Sequence, residues 1–304
     1  ITARSTLDPT KYATCQVTVE LLEVTINGTV ADEAGQPMFY SWNMATDPIW
    51  KAGAALPEVM TSATWSPKEN AFYMMDTTDA SVMHKIDEEG KVLTSVPSAE
   101  GIPLWDMAYS EVFSTEDQEM VTSIYYSYLL SPMDPLALDN VGFDMTSMCN
   151  YLVGITTFGY EKIEDEDGNE HDSEHLVLLD NDGYIWDFWV YAVEKPDGST
   201  GYDALFDITG TDLRLELPGY DNMEHMFSSL MAGEDGNLYL SAFTGETNEL
   251  YRLVYDEAAD SFVSTYLGNV GADVWPATIT SVTVNGGKTA PAASPKPTGT
   301  IEWE

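Results

Sequence analysis

Residues 226–241 read MFSSLMAGEDGNLYLS, and residues 60–75 read MTSATWSPKENAFYMM. Laid over one another, Met60 falls on Met226, Ser62 on Ser228, Trp65 on Met231, Phe72 on Leu238 and Tyr73 on Tyr239. In each stretch an alternating apolar run meets a polar turn, SPKEN or AGEDG, and a second alternating run leaves it. Gly or Asn in that turn supplies a positive φ at little steric cost, and period-two alternation marks strands with two different faces. The likeness continues downstream. SVMHKID (81–87) matches ELYRLVY (249–255), which sets Met83 on Leu250 and Lys85 on Arg252. A last outer run follows in both, KVLTSVP and SFVSTYL.

Each unit is therefore strand, acidic turn, strand, turn, strand, and a fourth outer strand. A third copy is expected at EHLVLLDNDGYIWDFWVYA (174–192), and a more degenerate one at WDMAYSEVFSTEDQEMVTSIYYSYLL (105–130). Self-similar four-stranded units of roughly 40–50 residues are the signature of propeller blades. A single blade cannot bury both faces, so such units must close into a ring. The reading is an all-β chain whose residues 21–286 form a β-propeller of about five blades, with a sixth as the upper bound. The competing all-β arrangement is a sandwich in which the self-similarity is accidental.

The bulk numbers agree with a folded domain and narrow the partners. Of 304 residues, 44% are hydrophobic and 12% aromatic, enough for a sizeable core. Net charge is -39, from 12 Lys+Arg against 51 Asp+Glu. Nucleic acid is not an expected partner, because phosphate binding needs a basic surface. Anionic lipid would repel the chain, and no apolar run approaches the length of a membrane span, so no membrane insertion is expected. Two cysteines, Cys15 and Cys149, do not make a disulfide framework. The chain begins at Ile1 and reads as a mature form or an excised fragment.

The ends differ in texture from the middle. Residues 287–300, GKTAPAASPKPTGT, are rich in Pro, Ala, Ser and Thr and make 287–304 a linker or tail. Residues 1–20, ITARSTLDPTKYATCQVTVE, hold two short β runs about a D-P-T turn. Ile1, Thr2, Ala3 and Ser5, then Ala13, Cys15, Val17, Thr18 and Val19, resemble the closing strands of a bacterial immunoglobulin-like domain of group 2. The resemblance covers about 20 residues and implies a partial Ig-like β segment at the N-terminus. It further implies additional Ig-like domains in the same parent chain, and an extracellular, cell-surface or secreted bacterial protein of adhesive type.

Candidate sites are sparse. EDEDGNEHDSEH (164–175) is the densest polar stretch, and Asp165, Asp167, Asn169 and Asp172 could offer hard oxygens to Ca²⁺. The terminal glutamate at EF-hand spacing is missing, and a solvated hairpin tip is the competing reading. His171 and His175 have i, i+4 spacing, which aligns two zinc ligands only on a helix. Among the tryptophans, Trp50 and Trp275 sit beside Pro-containing loops and are the candidates to stack on a ligand. Neither G-x-S-x-G nor H-E-x-x-H occurs. A propeller glycosidase would hold acids on inner strands, and Asp106 and Glu224 lie near such strands, but solvated or hydrogen-bonded carboxylates are the favoured reading of both. The expected function is a non-catalytic recognition or adhesion module that holds a glycan or protein at one loop face. The alternatives are a carbohydrate-active enzyme using channel carboxylates, and a structural spacer.

Overall fold

The computed structural model describes residues 2–4, 12–14, 23–66, 69–76, 82–97, 104–109, 120–124, 129–133, 143–144, 152–165, 167–180, 182–194, 196–206, 226–256, 261–272 and 274–284. Every regular element among them is a β-strand. Strands β1 (Thr2–Arg4) and β2 (Tyr12–Thr14) form a small antiparallel pair. The remaining strands form five four-stranded antiparallel sheets.

The first sheet combines both ends of the ring. Its members are β3 (Val24–Ala31), β4 (Pro37–Asn43) and β5 (Lys51–Ala55), with β22 (Thr278–Val284) as the innermost strand. The second sheet is β6 (Met60–Ser66), β7 (Ala71–Asp76), β8 (Val82–Ile86) and β9 (Val92–Pro97). The third is β10 (Leu104–Tyr109), β11 (Met120–Ile124), β12 (Leu129–Met133) and β13 (Phe143–Asp144). The fourth is β14 (Leu152–Glu164), β15 (Glu170–Asp180), β16 (Ile185–Glu194) and β17 (Thr200–Phe206). The fifth is β18 (Met226–Ala232), β19 (Leu238–Phe243), β20 (Asn248–Asp256) and β21 (Ser261–Val270). The innermost strands β6, β10, β14, β18 and β22 pack side by side, and β22 meets β6 to close the circle. The chain is an all-β propeller, as the repeats predict, and among the described residues its blades are these five sheets.

Alternation explains the core. On β19, Leu238, Leu240 and Ala242 face the fourth blade and pack with Val153, Val177, Leu179 and Ile185. Tyr239, one step out of phase, faces the first blade with Ile26, Tyr40 and Val270. Both faces of a middle strand are therefore buried, which is why β19 has no charged residue. Burying each such Leu or Phe contributes about 1.5–3 kcal/mol.

One turn recurs through the ring. In Asp32, Asp87, Asp165 and Asp180 the Oδ1 atom accepts the N–H groups two and four residues on, at 2.8–3.1 Å. The residue three positions on is Gly in each case, with φ of 80°, 81°, 83° and 87°. A side chain at that φ is strained, so Asp-x-x-Gly is the local code that reverses the chain.

The repeats hold with one adjustment. Tyr73 pairs with Lys85 and Tyr239 with Arg252, so those equivalences are structural. Across the turn, however, Tyr73 faces Thr64 while Tyr239 faces Met231. Trp65 therefore corresponds to Ala232 rather than Met231, and Ser62 to Ser229 rather than Ser228. One extra residue in the β6–β7 connection makes the difference. The stretch 174–192 covers β15 and β16, the second and third strands of its blade, so it is out of phase with the other copies. The stretch 105–130 runs from the innermost strand outward, in phase.

Candidate functional site between the first and second blades

A cleft of about 220 Å³ opens between the first two blades. Its first wall follows from pairing register. Asn27 pairs with both Ser41 and Ser281, and Thr29 with Phe39. Alternation thus sets Asn27, Phe39, Ser41 and Ser281 on the face turned to the second blade, where they line the cleft. Tyr40 also borders it, but its ring is one step out of phase. That ring meets Trp50 edge-on at 6.3 Å and joins the cluster of Ile26, Met231 and Tyr239. Gly53 and Ala54 of the outer strand keep the wall low. A Cβ on Gly53 would stand 3.1 Å from the Phe39 Cβ.

The second blade supplies aromatic rings and one acid. Trp65 and Phe72 flank the β6–β7 turn, and Glu88 lies in the β8–β9 turn. Phe72 packs at 4.8 Å from Phe39 and 4.6 Å from Trp65, so the three rings form a continuous wall. Lys85 is on the opposite face with Tyr73, where its Nζ sits 2.6 Å from Glu69 and 5.7 Å from the Tyr73 ring centroid.

The floor is polar. Asn27 Nδ2 donates to Ser281 Oγ at 3.2 Å. A bulge in β22 between Ile279 and Ser281 releases Thr280 from the ladder. Thr280 is 2% exposed, lines the cleft, and its Oγ1 has no hydrogen-bond partner among the described residues. A buried hydroxyl left unpaired costs about 1–3 kcal/mol. An aromatic wall, a hydroxyl and amide floor and a vacant donor–acceptor atom thus meet in this one cleft.

The channel is built differently. Asp106 on β10 is 1% exposed, and its Oδ2 accepts Ile155 N–H at 3.1 Å and Leu230 N–H at 3.2 Å. One carboxyl thereby ties three innermost strands together. Burial pushes its pKa well above the usual carboxylate value, and the N–H groups of Ile155, Leu230 and Met107 pull the other way. Thr156 Oγ1 likewise accepts Ala232 N–H at 2.9 Å, and Ser229 Oγ accepts Ile279 N–H at 3.1 Å. These groups are struts between strands that share no ladder. Glu224 lies outside the described residues.

The other sequence candidates are scattered. Trp50 follows β4 and is half-buried against Tyr40. Trp275 precedes β22, is 40% exposed, and its carbonyl accepts Asn248 Nδ2 at 2.9 Å. Strands β4 and β22 run parallel, both antiparallel to β3, so the two tryptophans mark opposite ends of the ring. Trp42, Trp65 and Trp186 are buried.

Asp165 is a turn hub. Its Oδ1 accepts Asp167 and Asn169 N–H, and its Oδ2 contacts His171 Nε2 at 2.8 Å. Those bonds, chiefly from the Asn169 and His171 side chains, hold its carboxyl below the usual carboxylate range. Asp167, Asn169 and Asp172 are exposed, and no group of three metal-ligating side chains forms among the described residues. His171 and His175 share a strand face about 13 Å apart, four residues at strand rise. Each has its own acid, with His175 Nε2 2.6 Å from Asp187 and its ring stacked on Trp189 at 4.7 Å. Cys15 and Cys149 lie outside the described residues. No sequence motif marks the cleft, because its lining comes from six strands and one turn.

No family model matches the chain, and no curated protein matches it. Solved structures similar in fold include a structural genomics protein of unknown function from Bacteroides thetaiotaomicron VPI-5482. It is 12% identical at TM-score 0.40, over 80% of this chain and 50% of that one. A protein of unknown function from Bacteroides caccae is 11% identical at TM-score 0.41, over 84% of this chain and 85% of that one. A streptogramin B lyase structure is 10% identical at TM-score 0.35, over 70% of this chain and 56% of that one. The chain spans about half the length of the first and last of these. These likenesses say nothing about ligand or chemistry, and the fold assignment stands on the sheet order and the closed ring of innermost strands.

Proposed function

We propose that the chain is a non-catalytic recognition module that holds part of a glycan or protein in the cleft between its first two blades. The carrying observation is the vacant Thr280 hydroxyl beneath the wall of Phe39, Trp65 and Phe72. The cleft is below the roughly 300 Å³ at which drug-sized pockets begin, so it suits one sugar ring or one long side chain. Asp106, the inner-strand acid proposed for an enzyme, spends its Oδ2 on two backbone amides. That observation favours binding over channel-based glycoside hydrolysis. Residues 1–20, read as the end of an Ig-like module, fit a surface-displayed, multidomain bacterial parent, and we carry location and adhesion as part of the same proposal.

The test is a ligand-observed NMR screen of small saccharides and amino-acid amides against wild type and Ser41→Trp, whose indole would fill the cleft. Hits that vanish in the variant support the reading. Hits that survive unchanged refute the cleft as their site, and a screen with no hits moves the function to a structural spacer.

A further inference from the structure

We propose that the cleft accepts a cationic head, an ammonium or guanidinium, carried on a slender apolar stem. This rests on the recognition reading and names the ligand class for the same site. Three observations support it. Glu88 is the one carboxylate among the described residues lining the cleft. Sheet alternation places the neighbouring Lys85 on the far face, already engaged by Glu69. Three aromatic rings, Phe39, Trp65 and Phe72, form the wall, and an aromatic surface attracts a desolvated cation electrostatically.

The floor agrees. Ammonium and guanidinium groups are pure donors and need acceptors. The Thr280 Oγ1 is vacant, and the Ser41 hydroxyl borders the same space. The volume equals about seven waters at the liquid volume per molecule of about 30 Å³, room for one lysine- or arginine-like side chain with little left over. The whole-chain field adds to this. A net charge of -39 raises the local concentration of cations and repels anionic ligands.

The same chemistry comes from a free amine or from a basic side chain of a partner protein. Titration of the isotope-labelled full chain, at about physiological salt to suppress diffuse attraction, separates them. The probes are n-butylammonium, its neutral isostere n-butanol, Nα-acetyl-lysinamide and methyl glucoside. Amide shifts at Gly53 and Ala54 and at the Trp65 indole are expected with the two cations and not with butanol. Glu88→Gln, a change at an exposed turn, should weaken the cations about tenfold, and Ser41→Trp should abolish the shifts while the circular dichroism stays native. Lysinamide binding at least tenfold tighter than butylammonium points to a protein side chain, and equal binding to a free amine. Cation shifts that ignore both substitutions overturn the proposal as diffuse charge attraction. Shifts from methyl glucoside alone overturn the cation class and leave the cleft as a sugar site. Silence from every probe overturns the cleft reading itself.

Discussion

Replacing Asp106 tests how the ring is held together. Its Oδ2 is the acceptor for the N–H groups of Ile155 and Leu230, on two different innermost strands. Asp106→Ala leaves both amides buried without that acceptor, at about 1–3 kcal/mol each. The expected loss is thus about 2–6 kcal/mol, a large share of the roughly 5–15 kcal/mol that holds a domain folded. Asp106→Asn keeps one acceptor oxygen in place and should cost about 1.5 kcal/mol or less. Urea unfolding followed by tryptophan fluorescence measures both, with an unchanged m-value required for the comparison. Acidity adds a second readout. Burial raises the folded-state pKa above the unfolded one, so the stabilisation linked to protonation is full below the unfolded value, about 3.9, and is lost as pH rises through the folded value. The advantage of wild type over Asp106→Asn should therefore grow on going from pH 8 toward pH 4. An alanine variant within about 0.5 kcal/mol of wild type would refute the strut. An advantage that shrinks on acidification would refute the protonation argument.

Three further outcomes are expected. Gly28→Ala would place its Cβ 1.9 Å from the Thr278 carbonyl and 2.6 Å from Tyr40 Cε1, at the seam where the two chain ends pair. A melting-temperature fall matching about 3 kcal/mol or more is expected, against about 1 kcal/mol for Gly198→Ala, which meets nothing within 4 Å but sits at φ +82°. Asp235→Ala should destabilise by about 2–4 kcal/mol in urea melts, because its carboxylate is nearly buried and receives Asn237, Tyr239 and Arg252. Its counterpart Glu69→Ala, paired with Lys85 and more exposed, should cost about 1 kcal/mol or less, and equal costs would contradict the difference in burial. Millimolar Ca²⁺ should leave the melting temperature within about 1 °C, since the Asp165 oxygens already serve the turn, whereas a rise would show binding to the native state.

Some of this was legible residue by residue. The Asp-x-x-Gly turns act through bonds spanning four residues, so short-range sequence encodes them fully. Strand alternation is equally local, and the match of Tyr73 with Tyr239 and Lys85 with Arg252 follows from it. The position of Trp65 was misplaced by one because a hairpin absorbs an extra residue without changing its strands, and only pairing partners reveal that. Trp50 and Trp275 looked alike beside their loops, yet parallel β4 and β22 send them to opposite ends of the ring.

The sequence by itself determined an all-strand chain of repeated four-stranded units with Asp–Gly reversals, because turn chemistry and period-two burial are properties of neighbouring residues. It also determined a strongly acidic surface, which follows from composition. Only the tertiary structure decided where a ligand could sit. Asn27 and Ser281 meet across 254 residues because β22 closes the ring against β3. The cleft exists where that seam faces the second blade, and Thr280, whose buried hydroxyl is vacant, sits at a bulge in the closing strand. Such a site depends on the register of distant strands, and no local pattern encodes that.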